Sequence, residues 1–148
     1  MILENYLTAQ QQATVVDAVR LAEKGTSGEI RIHIDRKCKT SPVERAEVVF
    51  NRLGMYKTAQ RNGVLIYIAV ESKVFAIIGD KGINDVVPEN FWADVIEAMG
   101  NEFRKGNLTE GLCQGVVMAG EKLKTYFPYQ EDDVNELPDS ISFEKEDR

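Results

Sequence analysis

The sequence predicts an α/β chain folded as a three-layer α/β/α sandwich around a small mixed β-sheet, and three observations carry that prediction. An alternating apolar strand at Glu29–Asp35 is followed by a capped amphipathic helix and then by a second apolar strand, the order of a crossover between parallel strands. A short polar turn then leads into a third strand, so this last pair forms an antiparallel hairpin. Helical periodicities before and after these strands supply enough apolar faces to cover both sides of the sheet.

Each element has a local cause. Thr8 and Gln11 make a capping box, Val15, Val16, Val19 and Ala22 recur at helical spacing, and Gly25 stops the first helix. Along Glu29–Asp35, Ile30, Ile32 and Ile34 alternate with Arg31, His33 and Asp35, the period of a strand with one strongly apolar face. Ser41 as cap, Pro42 at the first helical position and Glu44 open the second helix, which turns Val43, Ala46, Val49, Phe50 and Leu53 inward and ends at Gly54. Residues 63–70 and Val74–Gly79 are the hairpin strands. The following Gly79-Asp80-Lys81-Gly82-Ile83-Asn84-Asp85 reads as an irregular loop, because two glycines permit unusual backbone angles and acidic and amide residues favour turns. Pro88 and Glu89 start a third helix through Phe91, Trp92, Val95, Ile96, Met99 and Phe103, stopped at Gly106, and residues 109–126 form the last one. There Gly111, Gly115 and Ala119 recur every four residues, which implies close packing on a neighbour; Glu110, Glu121 and Lys122 exclude a membrane span.

Composition narrows the function classes. The chain has 148 residues, 43% of them hydrophobic, and no apolar run approaching the ~20 residues that span a bilayer. No repeat or linker precedes Pro128, so residues 1–127 read as one domain followed by a tail at 128–148. The N-terminus lacks the basic start, apolar centre and small-residue cleavage site of a secretory signal, which places the expectation in the cytoplasm. Cys38 and Cys113 lie in different elements and read as free thiols of a reducing compartment. The net charge of -6 belongs to the tail: residues 1–127 carry 16 acidic and 16 basic side chains, and residues 128–148 carry eight and two. A neutral body without a basic stripe argues against nucleic acid and against an anionic membrane surface. The tail reads as a solvated acidic terminus ahead of a partner-binding or cation-collecting one, with apolar residues spaced for partial docking.

Parallel strands begin at the same edge, so Glu29, Asn62 at the head of the second strand and Asp80 at the foot of the third should converge. Asn84 and Asp85 can reach them, with Thr26, Ser27 and Arg61 at the rim. Carboxylate and amide oxygens without His or Cys suit a hard cation, calcium ahead of magnesium because flexible loops fit its looser geometry; zinc is a poor candidate. The bland alternative is that these side chains bond to their own backbone and that Glu29 caps the edge or pairs with Arg61. His33, the sole histidine, reads as a packed or hydrogen-bonded strand residue, since a triad needs a nucleophile and an orienter at hand. Cys38 sits in a Lys/Arg-rich turn without the Cys-x5-Arg spacing of a phosphate loop and reads as accidentally exposed. Trp92 and Phe91 read as core.

Four segments, taken in this order and spacing, carry a resemblance. Ser27-Gly28-Glu29-Ile30-Arg31-Ile32, Arg61-Asn62-Gly63-Val64-Leu65-Ile66-Tyr67-Ile68-Ala69, Ile78-Gly79-Asp80-Lys81-Gly82-Ile83 and Phe103-Arg104-Lys105-Gly106 before Gly111 together resemble the TPM domain, over about residues 8–127. The resemblance implies an α/β/α sandwich, and members that include a thylakoid-lumen acid phosphatase linked to photosystem repair and accessory proteins of membrane complexes and receptors. It also implies a calcium or other divalent-cation site at an acidic loop. The family's Gly-x-Glu motif falls on Gly28 and Glu29, its Asp-Asn-Gly turn on Arg61, Asn62 and Gly63, and its Gly-x-Gly-x-Glu loop on residues 79–84. Two departures stand out: Arg61 takes the place of a common acid and Asn84 that of the usual Glu, each removing a negative charge, while Asp80 restores one. Three functions follow as expectations. The first is a non-catalytic module binding a divalent cation and a protein partner. The second is a metal-assisted phosphatase with Asp80 or Asp85 as ligand or base and Arg61 as phosphate clamp. The third is an ion-independent assembly factor working through the tail and the last helix.

Overall fold

A computed structural model describes residues 6–130 and 136–144; the N-terminal residues 1–5 and the acidic run 131–135, on which the signal and tail readings partly rest, lie outside the described residues. The elements follow in the order α1 (Ala9–Glu23), β1 (Glu29–Asp35), α2 (Pro42–Arg52), β2 (Gly63–Ala69), β3 (Val74–Gly79), α3 (Lys81–Asn84), α4 (Ala93–Arg104), α5 (Leu108–Tyr126) and β4 (Ser142–Phe143). The sheet runs β3-β2-β1-β4. β1 is parallel to β2 with Glu29 opposite Gly63, and β3 is antiparallel to β2 with Val64 opposite Gly79, so the heads of β1 and β2 and the foot of β3 share one edge. Both caps read from the sequence are formed: Thr8 and Gln11 exchange side-chain and backbone bonds, and the Ser41 hydroxyl accepts from Glu44 N–H.

Strand alternation divides the core. Ile30, Ile32, Ile34, Val64, Ile66 and Ile68 pack with Val15 and Val19 of α1, Val95 and Met99 of α4, and Leu112, Val116 and Leu123 of α5. Leu65, Tyr67 and Ala69 face the other way, onto Ala46, Val49 and Phe50 of α2. The result is the expected α/β/α arrangement, with three helices on one face and α2 on the other. The small residues of α5 serve close packing on α4, since a Cβ at Gly111 would meet the Phe103 ring at 2.4 Å and one at Gly115 the Met99 sulfur at 2.5 Å. Among the described residues, no helix is long and apolar enough to cross a membrane.

Three segments differ from expectation. The supposed irregular loop contains a single helical turn, α3, because the Asp80 side chain caps it and Lys81 pairs with Asp85 one turn on at 2.6 Å. α4 begins at Ala93 rather than at Pro88: Phe91 N–H bonds to Pro88 O and Ala93 N–H to Asn90 O, successive tight turns that bury Phe91 against Trp92 and Tyr126. The described part of the tail returns to the sheet, where Leu137 enters the α2-side core and Ser142–Phe143 pairs parallel with His33 and Ile34. Two apolar side chains and a free strand edge outweigh the solvation of its acids there.

Candidate functional site

The edge formed by the heads of β1 and β2 and the foot of β3 is tightly specified. Arg61 precedes β2 with φ of 51°, a left-handed backbone that side chains rarely adopt. Its carbonyl accepts from Gly82 N–H at 2.9 Å, and its guanidinium grips Asp80 with two bonds, Nε to Oδ2 at 2.7 Å and Nη2 to Oδ1 at 2.8 Å. Asp80 is a buried carboxylate, its side chain 5% exposed, whereas that of Arg61 is 46% exposed. The bond to Asp80 raises the Arg61 pKa further, so its charge is permanent. Asn62 is 1% exposed; its Nδ2 donates to Ser27 Oγ at 3.4 Å, while its buried Oδ1 has no hydrogen-bond partner among the described residues.

Of the five residues singled out from the sequence, the structure brings Glu29, Asn62 and Asp80 to this edge, Glu29 N–H bonding to Asn62 O at 3.3 Å, and the side chains of Glu29, Asn84 and Asp85 are engaged by other partners. Asn84 donates to Gly79 O at 3.0 Å, Asp85 pairs with Lys81 at the exposed surface, and Glu29 Oε1 accepts from Leu137 N–H at 2.7 Å. Thr26, at the rim, bonds through its hydroxyl to Phe127 O and Gly28 N–H. Among the described residues, no three His, Cys, Asp or Glu side chains are gathered to hold a metal ion. At this edge one buried amide oxygen has no partner among the described residues, and the Asp80 carboxylate holds a positive group, the Arg61 guanidinium.

Glu29 belongs to a second acidic group. Burial, opposed by the backbone N–H groups of Leu137 and Glu136 and assisted by the charges of Glu136 and Asp139, pushes its pKa up to about 7. Burial and a hydrogen bond with Asp139 push Glu23 up to about 9. Both folded values exceed those of an unfolded chain, so the native state binds more protons between about pH 4.5 and 9, and the stability this confers is lost as pH rises through 7 and 9. The unfolding midpoint should therefore fall by several degrees from about pH 5.5 to about pH 8.5. Glu23→Gln and Glu29→Gln should each flatten the slope in a thermal melt followed by circular dichroism. A midpoint that climbs over this range would contradict the assignment.

At the opposite end of β1 lies a buried polar network. Asp35, 2% exposed, accepts from His33 Nε2, Arg45 Nε and Tyr67 OH, each at 2.7 Å. Burial works to raise the Asp35 pKa, but the bonds from His33, Arg45 and Tyr67 hold it well below the usual carboxylate range. Burial and the bond to Asp35 raise the Tyr67 phenol. The other ring nitrogen, His33 Nδ1, lies 2.9 Å from Ser142 Oγ of β4. A cleft of about 750 Å³ opens here, lined by His33 and Ser142 and rimmed by Lys37, Lys39 and Arg52. The period of two along β1 places His33 and Asp35 on one face and could have signalled their pairing; Ser142, 109 residues away, gave no such signal.

The chain is similar to known proteins as follows. A family model described as the TPM domain matches residues 2–122. Among solved structures, the NMR structure of BA42 protein from the psychrophilic bacterium Bizionia argentinensis is 48% identical, with a TM-score of 0.90 over 97% of this chain and 99% of that one. The N-terminal domain of a protein from P. gingivalis shares the fold at 17% identity, with a TM-score of 0.66 over 82% and 78% of the two chains. No curated protein matches the chain.

Proposed function

Because the chain belongs to the TPM domain family, we propose that it is a binding module whose acidic sheet edge takes up a divalent cation, calcium ahead of magnesium, and that it works alongside a protein partner. The observation that supports this reading is the buried Asn62 Oδ1, which has no partner among the described residues. An orphaned buried acceptor costs about 1–3 kcal/mol, and a cation at this edge would satisfy it. Asp80 supplies the negative charge, and Arg61 is its present counter-ion. Half-exposed, that guanidinium can move into water at little cost, so cation and arginine compete for one carboxylate. Asn84, Asp85 and Glu29 would complete the oxygen set on release of their present bonds.

Calorimetric titration with calcium and then magnesium tests the competition. The wild-type chain should bind calcium weakly, with Kd of about 1 mM. Arg61→Asn, which removes the competing charge and suits the left-handed backbone, should tighten binding about tenfold. Asp80→Asn should weaken it at least as much as Asp85→Asn does. Equal heats in the wild type and the three variants would overturn the reading. Release of phosphate from 4-nitrophenyl phosphate by the calcium-loaded wild type, lost in Asp80→Asn, would replace the binding module with a metal-assisted phosphatase.

A further inference from the structure

The network at the far end of β1 has the parts of a nucleophilic centre. Asp35, ionised and acceptor-only, can take only a hydrogen from His33 Nε2, so in the neutral imidazole Nδ1 is the acceptor facing the Ser142 hydroxyl at 2.9 Å. Arg45 and Tyr67 fix the carboxylate from its other side, so the imidazole cannot turn without breaking the 2.7 Å bonds that hold its orienter. The ring also lies parallel to Tyr67, with centroids 6.0 Å apart. Hydroxyl, base and orienter thus form one chain of bonds, and the first two line an open cleft. That cleft lies at the carboxyl end of the parallel strands β1 and β2, where open α/β sheets place their ligands. Four basic side chains in its lining, Lys37, Lys39, Arg45 and Arg52, outnumber the carboxylates Asp35 and Glu144 and favour a negatively charged ligand, and Phe143 and Val49 give it an apolar wall.

We propose that Ser142, His33 and Asp35 act as nucleophile, general base and positioning residue in hydrolysis of a carboxylic ester that bears an anionic group. Ser142 Oγ attacks the ester carbonyl carbon while its proton passes to His33 Nδ1. The bond to the leaving alcohol breaks, and the alcohol departs with that proton, leaving an acyl-serine. Water, deprotonated by the same nitrogen, attacks the acyl carbon and releases the carboxylic acid, with the proton returning to Ser142 Oγ. This centre does not depend on the cation edge, which lies at the opposite end of β1.

The full chain is mixed with mono-4-nitrophenyl succinate, an anionic ester, and with 4-nitrophenyl acetate, a neutral one. The anionic ester should give a burst of 4-nitrophenolate and a succinyl adduct that peptide mass spectrometry finds on Ser142. Ser142→Ala and His33→Gln should each slow acylation about 100-fold. Asp35→Asn should lower the rate at saturating ester with little change in the half-saturating concentration, a split that mere loss of packing would not produce. Arg52→Gln should raise the half-saturating concentration for the anionic ester and leave the neutral one unchanged. Adduct mapping needs no variant to fold. Absence of acylation, or an adduct confined to lysines or Cys38, would overturn the proposal, as would Ser142→Ala reacting like the wild type.

Discussion

Replacing Asp35 with alanine is expected to lower the unfolding free energy by about 3 kcal/mol, because it strands two buried donors and removes the ion-pair partner of a partly exposed arginine at once. Arg45 Nε, Tyr67 OH and His33 Nε2 all donate to this carboxylate, which is 2% exposed. Without it the buried Tyr67 phenol and His33 Nε2 lose their acceptor, while the Arg45 guanidinium, its side chain 25% exposed, loses its ion pair. Urea denaturation of the wild type and Asp35→Ala measures the loss, with the denaturant slope compared to check two-state behaviour. A change below about 1 kcal/mol would mean that the network is solvated and not part of the core. Asp35→Asn keeps the volume and one acceptor oxygen and should fall between the two.

Gly82→Ala is expected to cost about 3 kcal/mol, for a reason that lies in the backbone and not in glycine's flexibility. A Cβ there would stand 2.2 Å from the Gln60 carbonyl oxygen and 2.6 Å from that of Arg61, and neither can rotate away as a side chain could. The segment before β2 would have to separate from α3, breaking the bond from Gly82 N–H to Arg61 O and with it the alignment of Arg61 on Asp80. Gly106→Ala is the control: that glycine has φ of 84° but nothing within 4 Å of its Cβ position, so only backbone strain of about 1 kcal/mol is expected. Thermal melts of both variants separate the two origins; equal losses would remove the claim that α3 is clamped to the segment before β2.

Much of this arrangement was legible in the chain because its causes are local. The alternation of Ile30, Ile32 and Ile34, the capping pairs Thr8–Gln11 and Ser41–Glu44, and the polar turn before Lys73, whose φ is 57°, each act within a few residues. What escaped sequence reasoning is set at a distance. α3 forms from a glycine-rich stretch because it is clamped against residues 60 and 61, and β4 exists because Phe143 finds the outer edge of β1. At the site, strand polarity correctly gathers Asn62 and Asp80 at one edge, but polarity says nothing of where side chains point. The Glu29 carboxylate is taken by the tail backbone, and Arg61, placed at the rim with Glu29 as its candidate partner, pairs with Asp80 instead. His33 is hydrogen-bonded as its strand position implied, and the i, i+2 spacing carries its pairing with Asp35, but the Ser142 hydroxyl comes from 109 residues away.

The most direct test of the cation edge is a calcium titration of the metal-free chain that follows backbone amides and the Asn62 side-chain amide by NMR, with Asp80→Asn alongside. Cation uptake in exchange for Arg61 predicts saturable shifts confined to Ser27, residues 61–63 and residues 79–85, with the Asn62 side-chain resonances among the first to move and no such response in Asp80→Asn. Uniform small shifts at millimolar calcium, or the same response in Asp80→Asn, would contradict it and leave the Arg61–Asp80 pair as a structural clamp of an ion-independent interaction domain.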